Sequence, residues 1–417
     1  MTAAQPAWQP QYARREPQMR GSDIRELLKL LKRPEVISFA GGIPDPELLP
    51  ADRAHAVFDR ILSDPKLSRE ALQYSASVGY PPLRDWIVDH MRQQGVACAP
   101  DNILITSGSQ QALEFLGRLF VTPGDTILTE GPTYLGALQA FAGNEPNYDT
   151  CLGEGSNATP ASCNRSAQAT GGRASLAYLV PDFANPTGRT LSERARKEHI
   201  ALARELGIPL IEDAAYSALR YDGTDAPSML ALDANASGGI DQSCVIYCGT
   251  VSKVISPGLR VGWIVAAAPI IEKLVLIKQA SDLNSTLLNQ MCAHALADMA
   301  FDDLAVQARN TYRVRRNAML AALSQHMSEY AQWTEPEGGM FVWVTLNDDI
   351  DTSALLAYAI ERENVAFVPG NGFYPGAGGR NQMRLSFSQS APERITTGVA
   401  RIASAYRALL AGEGTLR

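Results

Sequence analysis

The chain has 417 residues, of which 46% are hydrophobic and 19% charged, and its net charge is −7. That length can bury one large or two moderate cores, and the acidic balance argues against a basic surface for nucleic acid or anionic lipid. Six cysteines (98, 151, 163, 244, 248, 292) lack a Cys-x-x-Cys pair and five histidines (55, 90, 199, 294, 326) lack ligand spacing, so no metal site is expected.

The N-terminal residues have no apolar core, and no run of about 18 apolar residues follows, so neither a signal peptide nor a membrane span is expected. The cysteines read as small buried residues of a cytoplasmic protein. Residues 102–106 predict a strand, and residues 110–120 the helix after it. A turn at Pro123-Gly-Asp125 leads into a strand over 126–129, and Pro132 is placed to open a second helix, where a missing N–H is harmless. Residues 153–175 are polar and Gly/Ser-rich and read as a surface loop. A strand over 175–180 follows. Thr190-Leu-Ser-Glu193 then has capping-box spacing for a helix that Gly207 can close. Residues 208–212 and 244–248 are the next strands. In the latter, Cys244 and Cys248 stand roughly 13 Å apart, too far for a disulfide or a shared metal.

Near-continuous apolar strands alternating with helices predict an α/β fold, a mostly parallel sheet covered on both faces. A helical stretch over 270–300 leads to a smaller α+β part, helical over 303–330, with strands in 338–344 and 382–388. Ligands of such sheets bind beyond the carboxyl ends of the strands. There the chain places Ser107-Gly-Ser109, Asn185 and Thr187, Asp213 and Tyr216, and Thr250, Ser252 and Lys253.

Residues 249–262 carry the most chemistry. Lys253 and Arg260 lie seven positions apart on a hydroxyl- and glycine-rich loop between two apolar runs. A primary amine in that setting suits a Schiff base with an aldehyde cofactor whose phosphate the neighbours hold. A surface turn bearing two solvated cations is the other reading of these residues.

Gln73-Tyr-Ser75, Ser107-Gly-Ser-Gln-Gln111, Pro132-Thr-Tyr134, Asn185-Pro-Thr-Gly188, Asp213-Ala-Ala-Tyr216, Ser252-Lys253, Arg260 and Arg384-Leu-Ser-Phe-Ser388 follow one another along the chain. In this order they resemble the class I, fold-type I pyridoxal-phosphate aminotransferases, in the branch of 2-aminoadipate and kynurenine aminotransferases. The resemblance implies a seven-stranded-type, mostly parallel sheet flanked by helices, with a smaller α+β domain. Its implied divisions are an N-terminal arm (1–50), a large cofactor domain (51–285) and a small domain (286–417).

The same resemblance implies pyridoxal 5′-phosphate as cofactor and assigns roles. Lys253 would carry the cofactor and move a proton between Cα and C4′, and Asp213 would face the pyridinium nitrogen. Asn185 and Tyr216 would bond the ring oxygen, and Tyr134 would stack on the ring. Ser109, Gln110, Thr250, Ser252 and Arg260 would hold the phosphate, with Tyr74 arriving from the partner subunit of a homodimer with shared active sites. Thr250 stands where the family usually has serine, which keeps the hydroxyl. Arg384 would bind the substrate α-carboxylate, with Asn185 beside it. Gly42, in Gly41-Gly-Ile43, would line the side-chain pocket, and Arg25 or Arg20 would meet a distal carboxylate, although Arg25 beside Glu26 and Lys29 also reads as a solvated helix face. Asn284 and Thr286 resemble a stretch near the partner's site. The implied reaction passes an amino group from an L-α-amino acid to a 2-oxo acid such as 2-oxoglutarate. Elimination or racemisation with the same cofactor is the alternative. A ligand-sensing domain of a transcription regulator is the second alternative, disfavoured by the net charge and the short segment ahead of the similarity.

Overall fold

The computed structural model describes Tyr12, Ala13, Arg15, Glu16 and residues 35–412. Arg20 and Arg25 lie outside the described residues. A seven-stranded sheet forms the centre, in the order Ile103–Thr106, Gly262–Val265, Val245–Thr250, Leu210–Asp213, Ala174–Leu179, Thr126–Glu130 and Asn147–Leu152. Within that sheet, Gly262–Val265 alone runs antiparallel to its neighbours. Strands such as Ile103–Thr106 and Gly262–Val265 are buried at every position, which is why their sequences are largely apolar rather than alternating; Leu210–Asp213 is equally buried but ends on two acids, Glu212 and Asp213. Val368–Pro369, Gln382–Ser386, Phe341–Leu346 and Ala331–Trp333 form a separate antiparallel sheet.

Register decides where the loops meet. Thr106 and Thr250 both pair with Gly262, and Asp213 pairs with Cys248. The loops after Thr106, Asp213 and Thr250 therefore leave the sheet side by side. A side chain at Gly262 would press within 2.7 Å of the Ser109 nitrogen, so glycine is what lets the Ser109–Phe120 helix start against the strand.

Four local expectations are corrected. Residues 153–175 are not one loop: Pro160–Ala169 is a helix capped reciprocally by Thr159 and Ser162, burying Cys163 and Ala167. Its apolar stripe consists of small residues, so hydrophobic periodicity did not reveal it. Pro132 does not open a helix; the helix is Leu135–Phe141, with Tyr134 as its extended N-cap. The helix expected from Thr190 is Glu193–Leu206, capped by the Ser192 hydroxyl on Ala195 N and closed by Gly207 at φ 65°. The stretch from 270 to 300 is two helices, Ala268–Ser281 and the 41-residue Leu287–Met327, parted where Leu283 adopts φ 64°. A residue in that left-handed conformation ends a helix. Among the described residues, no helix is long and apolar enough to cross a membrane.

Candidate functional site

Lys253 sits in the turn after Val245–Thr250, half-buried, with Nζ donating to the Gly42 carbonyl at 3.2 Å and lying 5.6 Å from the Tyr216 ring centre. Desolvation, with the Arg384 guanidinium nearby, lowers its pKa to about 8. An amine in that range is partly neutral near pH 7, as nucleophilic or proton-transfer chemistry requires. The alternative of a solvated surface cation does not describe this environment.

Asp213 ends its strand almost wholly buried. One carboxylate oxygen, Oδ2, accepts the Tyr178 hydroxyl at 2.8 Å, while Oδ1 has no hydrogen-bond partner among the described residues. Burial pushes the acid up to about 6 despite the tyrosine's donation. A buried oxygen without a partner is unfavourable in isolation and invites a donor from a bound group.

Asn185, which precedes Pro186 through a cis bond, donates from Nδ2 to the Tyr216 hydroxyl at 3.4 Å and accepts from Arg384 Nη1 at 2.7 Å. Arg384, only 2% exposed, also donates from Nη2 to the Ala40 carbonyl at 2.8 Å, and its Nε has no hydrogen-bond partner among the described residues. Its guanidinium carbon lies 4.4 Å from the Phe341 ring centre and 5.2 Å from that of Phe373. Desolvation lowers its pKa to about 10. A planar cation held between aromatic faces keeps its fork oriented.

The segment bearing Gly42 is tied down from three sides. Arg315 pairs with the Asp45 carboxylate, the Tyr312 hydroxyl accepts from Asp45 N at 3.1 Å, and the Ser388 hydroxyl donates to the Ile43 carbonyl at 2.7 Å. A Cβ on Gly42 would meet the Phe341 ring at 3.1 Å.

A second cluster lies at the start of the Ser109–Phe120 helix. Gly108 caps it at φ 85°, and a Cβ there would come within 2.4 Å of the Arg260 guanidinium. Arg260, itself at φ 53°, donates from Nη2 to the Ser107 carbonyl at 3.2 Å. Thr250 Oγ1 lies 2.8 Å from Ser252 Oγ, and Gln110 Nε2 donates to the Gly136 carbonyl at 2.6 Å. A helix start with two hydroxyls and a guanidinium beside it could hold an anion. Tyr134 lies between the clusters, its ring folded over Gly136, where a Cβ would meet it at 2.3 Å.

The structure thus gathers Gly42, Asn185, Asp213, Tyr216, Lys253 and Arg384 in one cluster and Ser109, Gln110, Thr250, Ser252 and Arg260 in a neighbouring one, with Tyr134 beside both. It does not bring Tyr74, which is 78% exposed, to either, and the Asn284 side chain donates within its own turn to the Ser285 carbonyl. Sequence reading missed Tyr178, Phe341 and Phe373. A phenol in a buried strand of otherwise small or aliphatic residues was the available signal for Tyr178; the two phenylalanines looked like ordinary core.

Residues 49–402 match the family described as aminotransferase class I and II. The chain is 39% identical to a 2-aminoadipate transaminase of Thermus thermophilus over 97% of its own length and 98% of the relative's. It is 38% identical to aromatic-amino-acid aminotransferase 1 of Thermococcus litoralis, covering 93% and 92%. Among solved structures it is similar to the α-aminoadipate aminotransferase LysN of Thermus thermophilus, complexed with N-(5′-phosphopyridoxyl)-L-leucine. That likeness has a TM-score of 0.86 at 38% identity and covers 97% of this chain and 99% of the other.

Proposed function

This chain belongs to the class I and II aminotransferases and is a pyridoxal-phosphate-dependent transaminase, and from that premise we propose how its residues divide the work. The residues fit the cofactor: a buried carboxylate with a free oxygen, an amine of lowered pKa and an anion site stand in two neighbouring clusters. When bound, pyridoxal phosphate supplies the carbonyl that exchanges the amino group and a ring that accepts electron density.

Asp213, oriented by Tyr178, would hold a proton on the ring nitrogen. Asn185 and Tyr216 would bond the ring oxygen, and Tyr134 would lie against the ring. Ser109, Gln110, Thr250, Ser252 and Arg260 would bind the phosphate. Lys253 would anchor the cofactor, and its Nζ would take and return the Cα proton. Arg384 takes the substrate α-carboxylate and fixes which Cα bond faces Lys253. The observation that carries this reading is the placement of Lys253 among Asp213, Tyr216 and Arg384.

We further propose a homodimer in which Tyr74 serves the partner's phosphate site, supported by an aromatic exposed at 78% beside Leu72 at 74%. The arm, large and small domains are placed at 1–50, 51–285 and 286–417, the last boundary falling in the break between the two long helices. A cytoplasmic setting fits the six free thiols.

The donor is an L-α-amino acid with 2-oxoglutarate as acceptor. The two relatives above act, by their names, on 2-aminoadipate and on aromatic amino acids, which bracket the side-chain pocket beside Gly42. Arg25 or Arg20 would select the acidic donor. Adding an amino acid without acceptor should convert the bound cofactor to its pyridoxamine form, seen as loss of visible absorbance. Release of pyruvate and ammonia instead would overturn transamination in favour of elimination. In a donor screen against 2-oxoglutarate, Arg25→Ala should weaken 2-aminoadipate by about 10- to 100-fold and leave leucine unchanged. Equal effects on both donors would remove Arg25 from the pocket.

A further inference from the structure

Behind the anion site lies a buried cation that the reaction does not use. Lys278, on Ala268–Ser281, is 0% exposed. Its Nζ contacts Asp282 Oδ1 at 2.9 Å and Oδ2 at 3.0 Å, Ser285 Oγ at 2.9 Å and Gln111 Oε1 at 3.3 Å. Those partners converge on Ser107, the residue before the helix cap. Gln111 Oε1 accepts from Ser107 N at 2.8 Å, while Ser107 Oγ lies 3.3 Å from Asp282 Oδ2 and 3.1 Å from Ser285 Oγ. Gln111 Nε2 also donates to Asp282 Oδ2 at 2.8 Å. On its other side, the Ser107 carbonyl accepts from Arg260. Ser107 is therefore held at its amide, hydroxyl and carbonyl.

We propose that Lys278 is a positioning residue for the cofactor phosphate, locking Ser107 and Gln111 so that the Gly108–Ser109 turn and Arg260 present a preformed anion cradle. This rests on the reading of that turn as the phosphate site. An ion pair between a buried lysine and an aspartate open to solvent adds little net stability. What Lys278 adds is direction: it bridges the turn at 282–285 to the loop that starts the phosphate helix. Being neutralised by Asp282, it acts through geometry and not through charge on the phosphate.

The test compares pyridoxal phosphate with pyridoxal, which lacks the phosphate, in titrations of the full-length protein freed of cofactor. The variant is the charge-balanced Lys278→Met/Asp282→Asn, with Tm measured alongside. The expected result is a loss of about tenfold or more in affinity for pyridoxal phosphate, with pyridoxal unchanged within about twofold. Gln111→Leu keeps the ion pair and should show the same selective loss, so the idea remains testable if the double variant does not fold. Unchanged affinity for pyridoxal phosphate, or equal weakening of both compounds, would overturn the role. Arg260→Met in parallel checks the underlying site. If the unaltered protein does not prefer pyridoxal phosphate, and Arg260→Met changes nothing, the phosphate reading itself fails.

Discussion

Lys253→Ala is expected to lower kcat for amino transfer by at least about 10⁴-fold, the upper range for removing a positioned proton carrier, while the protein stays folded. The side chain reaches the crevice past Gly42 and Tyr216, and no other described amine is held among Asp213, Tyr216 and Arg384, so nothing stands ready to replace it. Borohydride treatment of the loaded protein should fix label on the peptide containing Lys253, and label should be absent from the variant. The same residue carries a pH signature. In cofactor-free protein, an amine-directed acylating reagent should modify Lys253 increasingly as pH rises through about 8, where the neutral amine takes over. An ordinary lysine would respond only near pH 10. Peptide mapping by mass spectrometry reads this directly. Full turnover by the alanine variant would sink the assignment.

The second large effect is expected at Arg384. Arg384→Lys keeps the charge but loses the planar fork that donates to Asn185 and Ala40 and lies over Phe341. A lysine ammonium cannot make those contacts and a two-point carboxylate contact together. Losing one partner of a desolvated charge contact costs about 2–5 kcal/mol, so kcat/KM for every α-amino acid donor should fall by about 30- to several-thousandfold, mostly through KM. A primary amine without a carboxylate should react alike with both proteins, which separates carboxylate binding from general damage. An unchanged KM for amino acids would exclude Arg384 from substrate binding.

Much of this molecule was legible along the chain. The strands over Ile103–Thr106 and Val245–Thr250 announced themselves because burial on both faces favours largely apolar runs, and Gly207 marked a helix end through a conformation that glycine adopts freely. Lys253, Asp213 and Arg260 were findable because each follows or flanks a strand end, where such sheets bind ligands. The helix at Pro160–Ala169 was not, since Cys163 and Ala167 are too small to write a hydrophobic stripe.

The sequence by itself determined the alternation of central strands and helices, the reactive amine and the polar groups at the strand ends, because period-based patterns and strand-to-loop transitions are local. Only the tertiary structure decided which groups touch. Arg384 meets Asn185 across 199 positions and Ala40 across 344, and Tyr178 reaches Asp213 from a neighbouring strand. Those pairings follow from sheet register and from the meeting of the small sheet with loops beyond the large one, and neither leaves a local mark. The lowered pKa of Lys253 is of the same kind: it comes from desolvation and from a guanidinium 131 positions away (384 − 253 = 131), and only the folded chain brings them together.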